Sequence, residues 1–397
     1  MMSVWSSLVG QEAAVAKLSE AAASARAIVA SRGGAHASDD ARSMSHAWLI
    51  TGPPGSGRSV AARAFAAALQ CTGETVGCGQ CAGCRTTMGR TNADVVFAAT
   101  ETSIINVETA RSLVLQAQSS PSQGLWRVIV VEDADRLGES GANALLKAIE
   151  EPPEHTVWLL CAPSPEDMIA TIRSRCRHLG LRIPTAAAVA DLLVREGVAT
   201  PEVALEAARA AQSHIGLARA LARDPQMRER RRAIITAPAS VRSVGEAVMA
   251  ADRLLETAKA QADAQVSERN AREKAELLRQ LGMDEGESAT KASRTMIRQL
   301  EEDQKRRSKR ALTDAIDRAL IDLLAIYRDV LMVQVGGDGE LINTDLSDLV
   351  HEIAQDSTLR QTLARVDHIE TARKRLVSNG NALLVLEDMA ISLRPQA

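Results

Sequence analysis

The stretch Leu49-Ile50-Thr51-Gly52-Pro53-Pro54-Gly55-Ser56-Gly57-Arg58-Ser59 decides how this chain folds. A short β-prone run leads into a glycine-bounded turn, and an alanine-rich segment suited to a helix follows. That is the layout of a phosphate-binding loop. Gly52 and Gly57 hold its fixed glycine positions, Pro53, Pro54, Gly55 and Ser56 fill the variable ones, and Ser59 supplies the hydroxyl expected to ligate Mg²⁺. Glycines let successive backbone N–H groups turn toward phosphate oxygens, and the following helix adds its positive N-terminus. One fixed position departs, because Arg58 stands where lysine is expected. Lysine is a compact point charge, whereas arginine is longer, planar and forked, so the exchange is not conservative. ATP or ADP with Mg²⁺ could still enter such a loop, but efficient hydrolysis is not expected.

Outward from this loop, residues 1–183 alternate short apolar runs with helical stretches, the pattern of a parallel α/β sheet. Strands are expected at 47–51, 95–98, 127–131, 157–161 and 176–181. Helices are expected at 11–30, 58–69, 107–118, 140–150 and 165–171, with a flexible loop at 31–45. From Pro184 onward the pattern is all-α. A small helical lid is expected over 184–238 and a helical oligomerisation domain over 239–397. Within the latter, residues 252–310 are rich in charge and show no sustained heptad stripe, so a solvated helical hairpin or partly disordered insertion is expected rather than a coiled coil. Residues 311–335 place Leu312, Ile316, Leu320, Leu323 and Tyr327 at helical spacing, a face suited to core or subunit packing.

A second carboxylate site follows the run Val128-Ile129-Val130-Val131, where Glu132-Asp133 stand. Active P-loop enzymes of this kind place Asp then Glu there, the first ordering Mg²⁺ and the second the attacking water. Here the order is reversed, so each carboxylate is misplaced by about one methylene, and catalysis tolerates roughly 1 Å. In the alternative frame Asp133 meets the metal and Ala134 falls at the water position, where it cannot act.

Cys71, Cys78, Cys81 and Cys84 are spaced C-x6-C-x2-C-x2-C, with Gly77, Gly79 and Gly83 among them. Four thiolates this close suit tetrahedral Zn²⁺ in a closed, structural site; the same clustering could also hold an iron–sulfur cluster. Cys161 and Cys176 fall in expected strands as buried apolar residues. The 397 residues require two or three domains, and aromatics make up only 2%, so Ala, Leu, Val and Ile must fill the cores. The formal net charge of −3 leaves no chain-wide basic surface, so any DNA contact is expected at a local groove or shared with partners. No apolar run reaches the ~18 residues of a membrane span, and the N-terminus lacks a signal pattern, which points to a cytoplasmic, reducing setting.

The run Asn143-Ala144-Leu145-Leu146-Lys147-Ala148-Ile149-Glu150-Glu151-Pro152-Pro153, then Ser174-Arg175-Cys176, resembles bacterial clamp-loader subunits of DNA polymerase III. A cysteine module after the phosphate-loop helix is similar to the gamma/tau and delta-prime members. Val9-Gly10-Gln11 is similar to the family's adenine-contacting segment. The likeness covers about residues 1–235 and implies an AAA+ fold with a C-terminal helical collar. Partners would be gamma/tau and delta subunits, the sliding clamp and primer-template DNA. It implies that Arg175 is an arginine finger reaching a neighbour's γ-phosphate, and that Arg219 sits at a second phosphate-sensing position. Motor subunits keep the lysine, the Asp-Glu order and a threonine where this chain has Ala162-Pro163. Three altered elements beside a retained Arg175 resemble delta-prime, a stator without hydrolysis of its own. The competing expectations are an active gamma/tau-type motor and a zinc-dependent interaction protein with a vestigial loop.

Overall fold

A computed structural model of the chain describes residues 3–31, 43–98, 105–281, 291–378 and 380–394. The expected loop at 31–45 falls mostly outside the described residues, as does the interval 282–287 between the two charged helical stretches. Five parallel strands form the sheet: β1 (Ala47–Thr51), β2 (Val95–Ala98), β3 (Arg127–Val131), β4 (Thr156–Ala162) and β5 (Arg177–Gly180). Their spatial order is β2-β3-β4-β1-β5. Side chains alternate across the strands, so each strand feeds both faces. Trp48, Ile50, Val128, Val130, Leu159 and Cys161 enter one core with α1 (Glu12–Ala30) and α2 (Arg58–Leu69). Ala47, Leu49, Ile129, Val131, Trp158 and Leu160 enter the other with α4 (Val107–Ala117) and α5 (Glu139–Glu150). Both faces are covered over β1, β3 and β4, which is why these strands read as apolar runs.

The scarcity of aromatics is met by close approach. On α2, Ala61, Ala62, Ala64, Ala66, Ala67 and Ala68 are all buried, with Phe65 set edge-on against Trp48 at 5.3 Å. Small side chains let this helix lie near the sheet, and that fixes the loop between β1 and α2. The register pairs Thr51 with Ala162 and Val131 with Leu160, so the ends of β1, β3 and β4 share one edge. The phosphate-type loop, Glu132-Asp133 and Pro163 therefore emerge side by side at the carboxyl end of a parallel sheet, where open α/β folds place ligands.

Two short elements differ from expectation. The segment expected as one helix at 165–171 is a 3-10 turn at Pro165–Asp167 followed by α6 (Ala170–Arg173). Ser164 and Asp167 cap each other around that turn, and Ile169 is extended, so the helix cannot run through. Within the cysteine module, α3 (Ala82–Met88) forms on the Cys81 cap.

The chain divides into two compact units, 1–222 and 223–397. The expected lid straddles that division: α7 (Ala186–Arg195), α8 (Pro201–Ala210) and α9 (Ile215–Arg223) group with the sheet, and α10 (Pro225–Ser240) with the C-terminal helices. The second unit also holds α11 (Val244–Gln280), α12 (Lys291–Gln334), α13 (Ser347–Asp356), α14 (Leu359–Val377) and α15 (Ala382–Leu393). Its core contains Ile316, Leu320, Leu323 and Tyr327 of α12, the face the helical spacing marks out. The charged stretches are the distal parts of α11 and α12, two continuous helices. Among the described residues, no helix is long and apolar enough to cross a membrane.

Candidate nucleotide loop and cysteine centre

The loop at 52–57 is held from several sides. Gly52 N–H donates to the Pro163 carbonyl at 3.1 Å, and Ser56 N–H to the Pro53 carbonyl at 3.0 Å. Gly55 and Gly57 have φ of +92° and +88°, a region costly for other residues. A Cβ on Gly55 would also stand 3.0 Å from His214 Cα. Gln11, buried just before α1, donates to the Ser56 carbonyl at 3.3 Å and the Arg182 carbonyl at 2.5 Å, and accepts from Arg182 N–H at 3.2 Å. Ser56 Oγ is buried and has no hydrogen-bond partner.

Charges around the loop are paired within the chain. The Arg58 guanidinium turns back and donates to the Gly52 carbonyl. Glu132 Oε1 accepts from Arg90 Nη2 at 2.5 Å, and the Arg90 guanidinium also lies 5.0 Å over the Phe97 ring. Asp133 stands at the start of the 3-10 turn that follows β3. Behind them Cys161 is fully buried, and desolvation, aided by Glu132, pushes its thiol up to about 12. Burial likewise pushes Cys176 up to about 12. The structure thus gathers Gly52–Ser59, Glu132 and Asp133 at one sheet edge.

The four cysteines converge as their spacing predicts. Their sulfurs all lie within 4.8 Å of one another; Cys71 is 3.7 Å from Cys78 and 3.9 Å from Cys81. A tetrahedron of thiolates around Zn²⁺ has sulfurs about 3.8 Å apart, from a Zn–S bond of about 2.3 Å, so the cluster could hold a metal ion of that size. Backbone N–H groups aim at the sulfurs: Gln80 and Cys81 at Cys78, Thr72 and Cys84 at Cys81, each at 3.4 Å. At Cys81 burial opposes ionisation, but the Cys84 and Thr72 donors outweigh it and bring the thiol down to about 6. Burial raises Cys84. Gly83 has no room for a side chain, since a Cβ would sit 2.0 Å from the Gln70 carbonyl oxygen. Arg26 of α1 donates to the carbonyls of Cys71, Gly73 and Glu74 at 2.8, 2.8 and 3.0 Å, and Val4 N–H and Ser3 Oγ to that of Gly77 at 3.0 and 3.1 Å.

Two further arginines from the sequence lie elsewhere in this unit. Arg175, after α6, is exposed; its guanidinium pairs with Glu150 of α5 and donates to the Thr171 carbonyl at 2.8 Å. Arg219 of α9 makes a two-pronged pair with Glu196, both bonds 2.9 Å.

Residues 36–185 match the family model for the DNA polymerase III delta subunit. The chain is 35% identical over 159 residues to the gamma/tau subunit of Mycobacterium tuberculosis, covering 39% of this chain and 28% of that one. It is 34% identical over 165 residues to the delta' subunit of Pseudomonas aeruginosa, covering 41% and 50%. Over the matched stretch this chain is similar to clamp-loader subunits of DNA polymerase III. It spans 28% to 50% of the length of these curated relatives, and both delta' and gamma/tau subunits are among them. A solved gamma-subunit-related protein of Thermotoga maritima overlaps 87% of this chain and 93% of its own at 15% identity, with a TM-score of 0.38.

Three residues around the site carry no motif of their own. Arg90 meets Glu132 across 42 positions, Arg26 reaches the cysteine loop across 45 to 48, and Asp94 anchors the loop before β3. A single sequence offers one hint: the Asn-Ala-Asp run before β2 is a turn signal with a carboxylate free to accept backbone N–H groups.

Proposed function

We propose that this chain is a delta-prime-type stator of a DNA polymerase III clamp loader. With gamma/tau and delta subunits it would help place the sliding clamp on primed DNA, and Arg175 would be its contribution to a neighbour's ATP hydrolysis. One contrast carries the reading: Arg58 and Glu132 are engaged inside the chain, whereas Arg175 stands on the surface. A guanidinium offered to a γ-phosphate neutralises charge developing in phosphoryl transfer. The cysteine module would bind Zn²⁺ as a closed structural site, supported by the sulfur spacings and the N–H donors around them. Gly52–Ser59 with Glu132, Asp133 and Arg219 would at most bind nucleotide without turning it over.

The test is reconstitution with gamma/tau, delta, the sliding clamp and primed DNA. The chain alone should show no ATP turnover above background. The assembled complex should show DNA-stimulated turnover that Arg175→Ala lowers by about 10³-fold at the site it serves. Turnover by the chain alone would favour the gamma/tau-type motor, and full activity of the Arg175→Ala complex would end the finger role.

A further inference from the structure

The distal part of α12 carries charge that neither core uses. Residues 291–310 hold eight Lys or Arg against three Asp or Glu, in a chain whose net charge is −3. Helical periodicity puts Arg294, Arg298, Lys305 and Lys309 within a wedge of about 60°, and all four are exposed. The opposite side of the helix is fixed against α11. Arg307 donates to Asn270 Oδ1 at 2.7 Å and Glu273 Oε2 at 2.8 Å, and Gln304 Nε2 to the Asn270 carbonyl at 2.9 Å. Further along, Ala311 packs with Ala262 and Val266. These contacts set which way the cationic stripe faces.

Bases outnumber the acids of the same stretch by eight to three. Lys274 of α11 lies 3.6 Å from Glu301, Arg306 is 2.5 Å from Asp303, and Arg298 meets Glu302 at 3.9 Å with 75% and 60% side-chain exposure. Exposed pairs of that kind exchange partners readily. We infer that this face of α12 docks the phosphate backbone of duplex nucleic acid. Arg294 to Lys309 spans about 22 Å, close to the axial rise of six nucleotides of one strand, at about 3.4 Å each. Protein partners need an apolar interface core. Between Arg294 and Lys309 the wedge holds no apolar residue, whereas phosphate contact needs only charge in a row. This surface requires no partner subunit, so its failure would leave the stator reading untouched, and the reverse.

The experiment is fluorescence anisotropy of a 30-base-pair duplex titrated with the full chain at several salt concentrations. Four neutralised phosphates give a slope of log affinity against log salt near −3.6, an affinity loss of about 150-fold from 50 to 200 mM. R294Q/R298Q/K305Q/K309Q should flatten the slope by about 3–4 at unchanged circular dichroism. R111Q/R195Q/R360Q/K374Q, which removes the same charge elsewhere, should leave it alone. Should the quadruple variant lose helix, R298Q/K305Q gives the same reading at about half the change. The inference is overturned if these hairpin variants keep the wild-type slope, or if no duplex binds at 50 mM salt. It is equally overturned if polyglutamate binds and duplex does not, which would mark an acidic protein as the partner.

Discussion

Asp94 offers the sharpest test of how the sheet is held together at the site. Its carboxylate, with no exposed surface, accepts from Ser122 N–H at 2.7 Å, Ser122 Oγ at 3.0 Å, Gln123 N–H at 2.8 Å and Gly124 N–H at 2.6 Å, with Arg127 at 3.6 Å. These bonds tie the loop before β3, the strand that delivers Glu132-Asp133. In Asp94→Asn one oxygen becomes an NH2 group facing backbone donors, so about two charge-assisted bonds are lost and their donors stranded. At about 1.5–3 kcal/mol each the loss is about 3–6 kcal/mol. For a unit of this size about 2–4 °C accompanies each kcal/mol, so calorimetry should record a melting point lower by about 6–24 °C. The pH dependence gives a second readout. Burial alone would raise the Asp94 pKa, but the N–H groups of Ser122, Gln123 and Gly124 outweigh it and hold it below the ordinary value. Its contribution is therefore fully present above the unfolded carboxyl value of about 3.9 and is lost as pH falls through the lower folded one. The gap between wild type and Asp94→Asn should be constant from pH 5 to 8 and narrow below about pH 4. A melting point within 3 °C of wild type at pH 7 would refute the reasoning.

Three other perturbations follow from the geometry. Elemental analysis of the purified chain should find one zinc per molecule, lost in Cys81→Ser, and a visible absorption band with iron in its place would mean a cluster instead. Arg26→Ala removes a charged donor from three carbonyls of the cysteine loop; about 2–3 kcal/mol of stability should go with it, and zinc transfer to a chelator should quicken, whereas an unchanged transfer rate would separate α1 from the metal site. Arg58→Lys alone should not restore ATP turnover, because Glu132 stays paired with Arg90; turnover in that single variant would show that the paired carboxylate is no obstacle.

How far the sequence was legible depends on the range of the forces involved. Strands β1, β2 and β3 were legible to the residue, because a doubly covered parallel strand is an apolar run and its ends are marked by Gly, Pro and Asp. The cysteine cluster was legible because its four thiols lie within one short stretch. The helix α3 was not, since its first turn is nucleated by a cysteine sulfur rather than by a usual cap. The split of 165–171 turned on Asp167 reaching back to Ser164, a local contest between two hydrogen-bonding patterns. Arg90, Arg26 and Asp94 act across long sequence separations, and no periodicity marks such partners.

Side-chain exposure orders the charges around the site by how readily each could serve another molecule. Glu132 is 13% exposed, so parting it from Arg90 would strand a half-buried carboxylate. Arg219 and Glu196, at 32% and 28%, share two bonds in the geometry that holds guanidinium and carboxylate best. Arg175 and Glu150 are 39% and 40% exposed, where water and salt leave a pair worth about 0–1 kcal/mol. A phosphate, more highly charged than Glu150 and able to take both prongs of the fork, would displace that carboxylate with little loss. Of the two ion-paired motif arginines, the more exposed is thus the one proposed to act on a neighbour's nucleotide, and Glu150 would keep it folded down until that phosphate arrives.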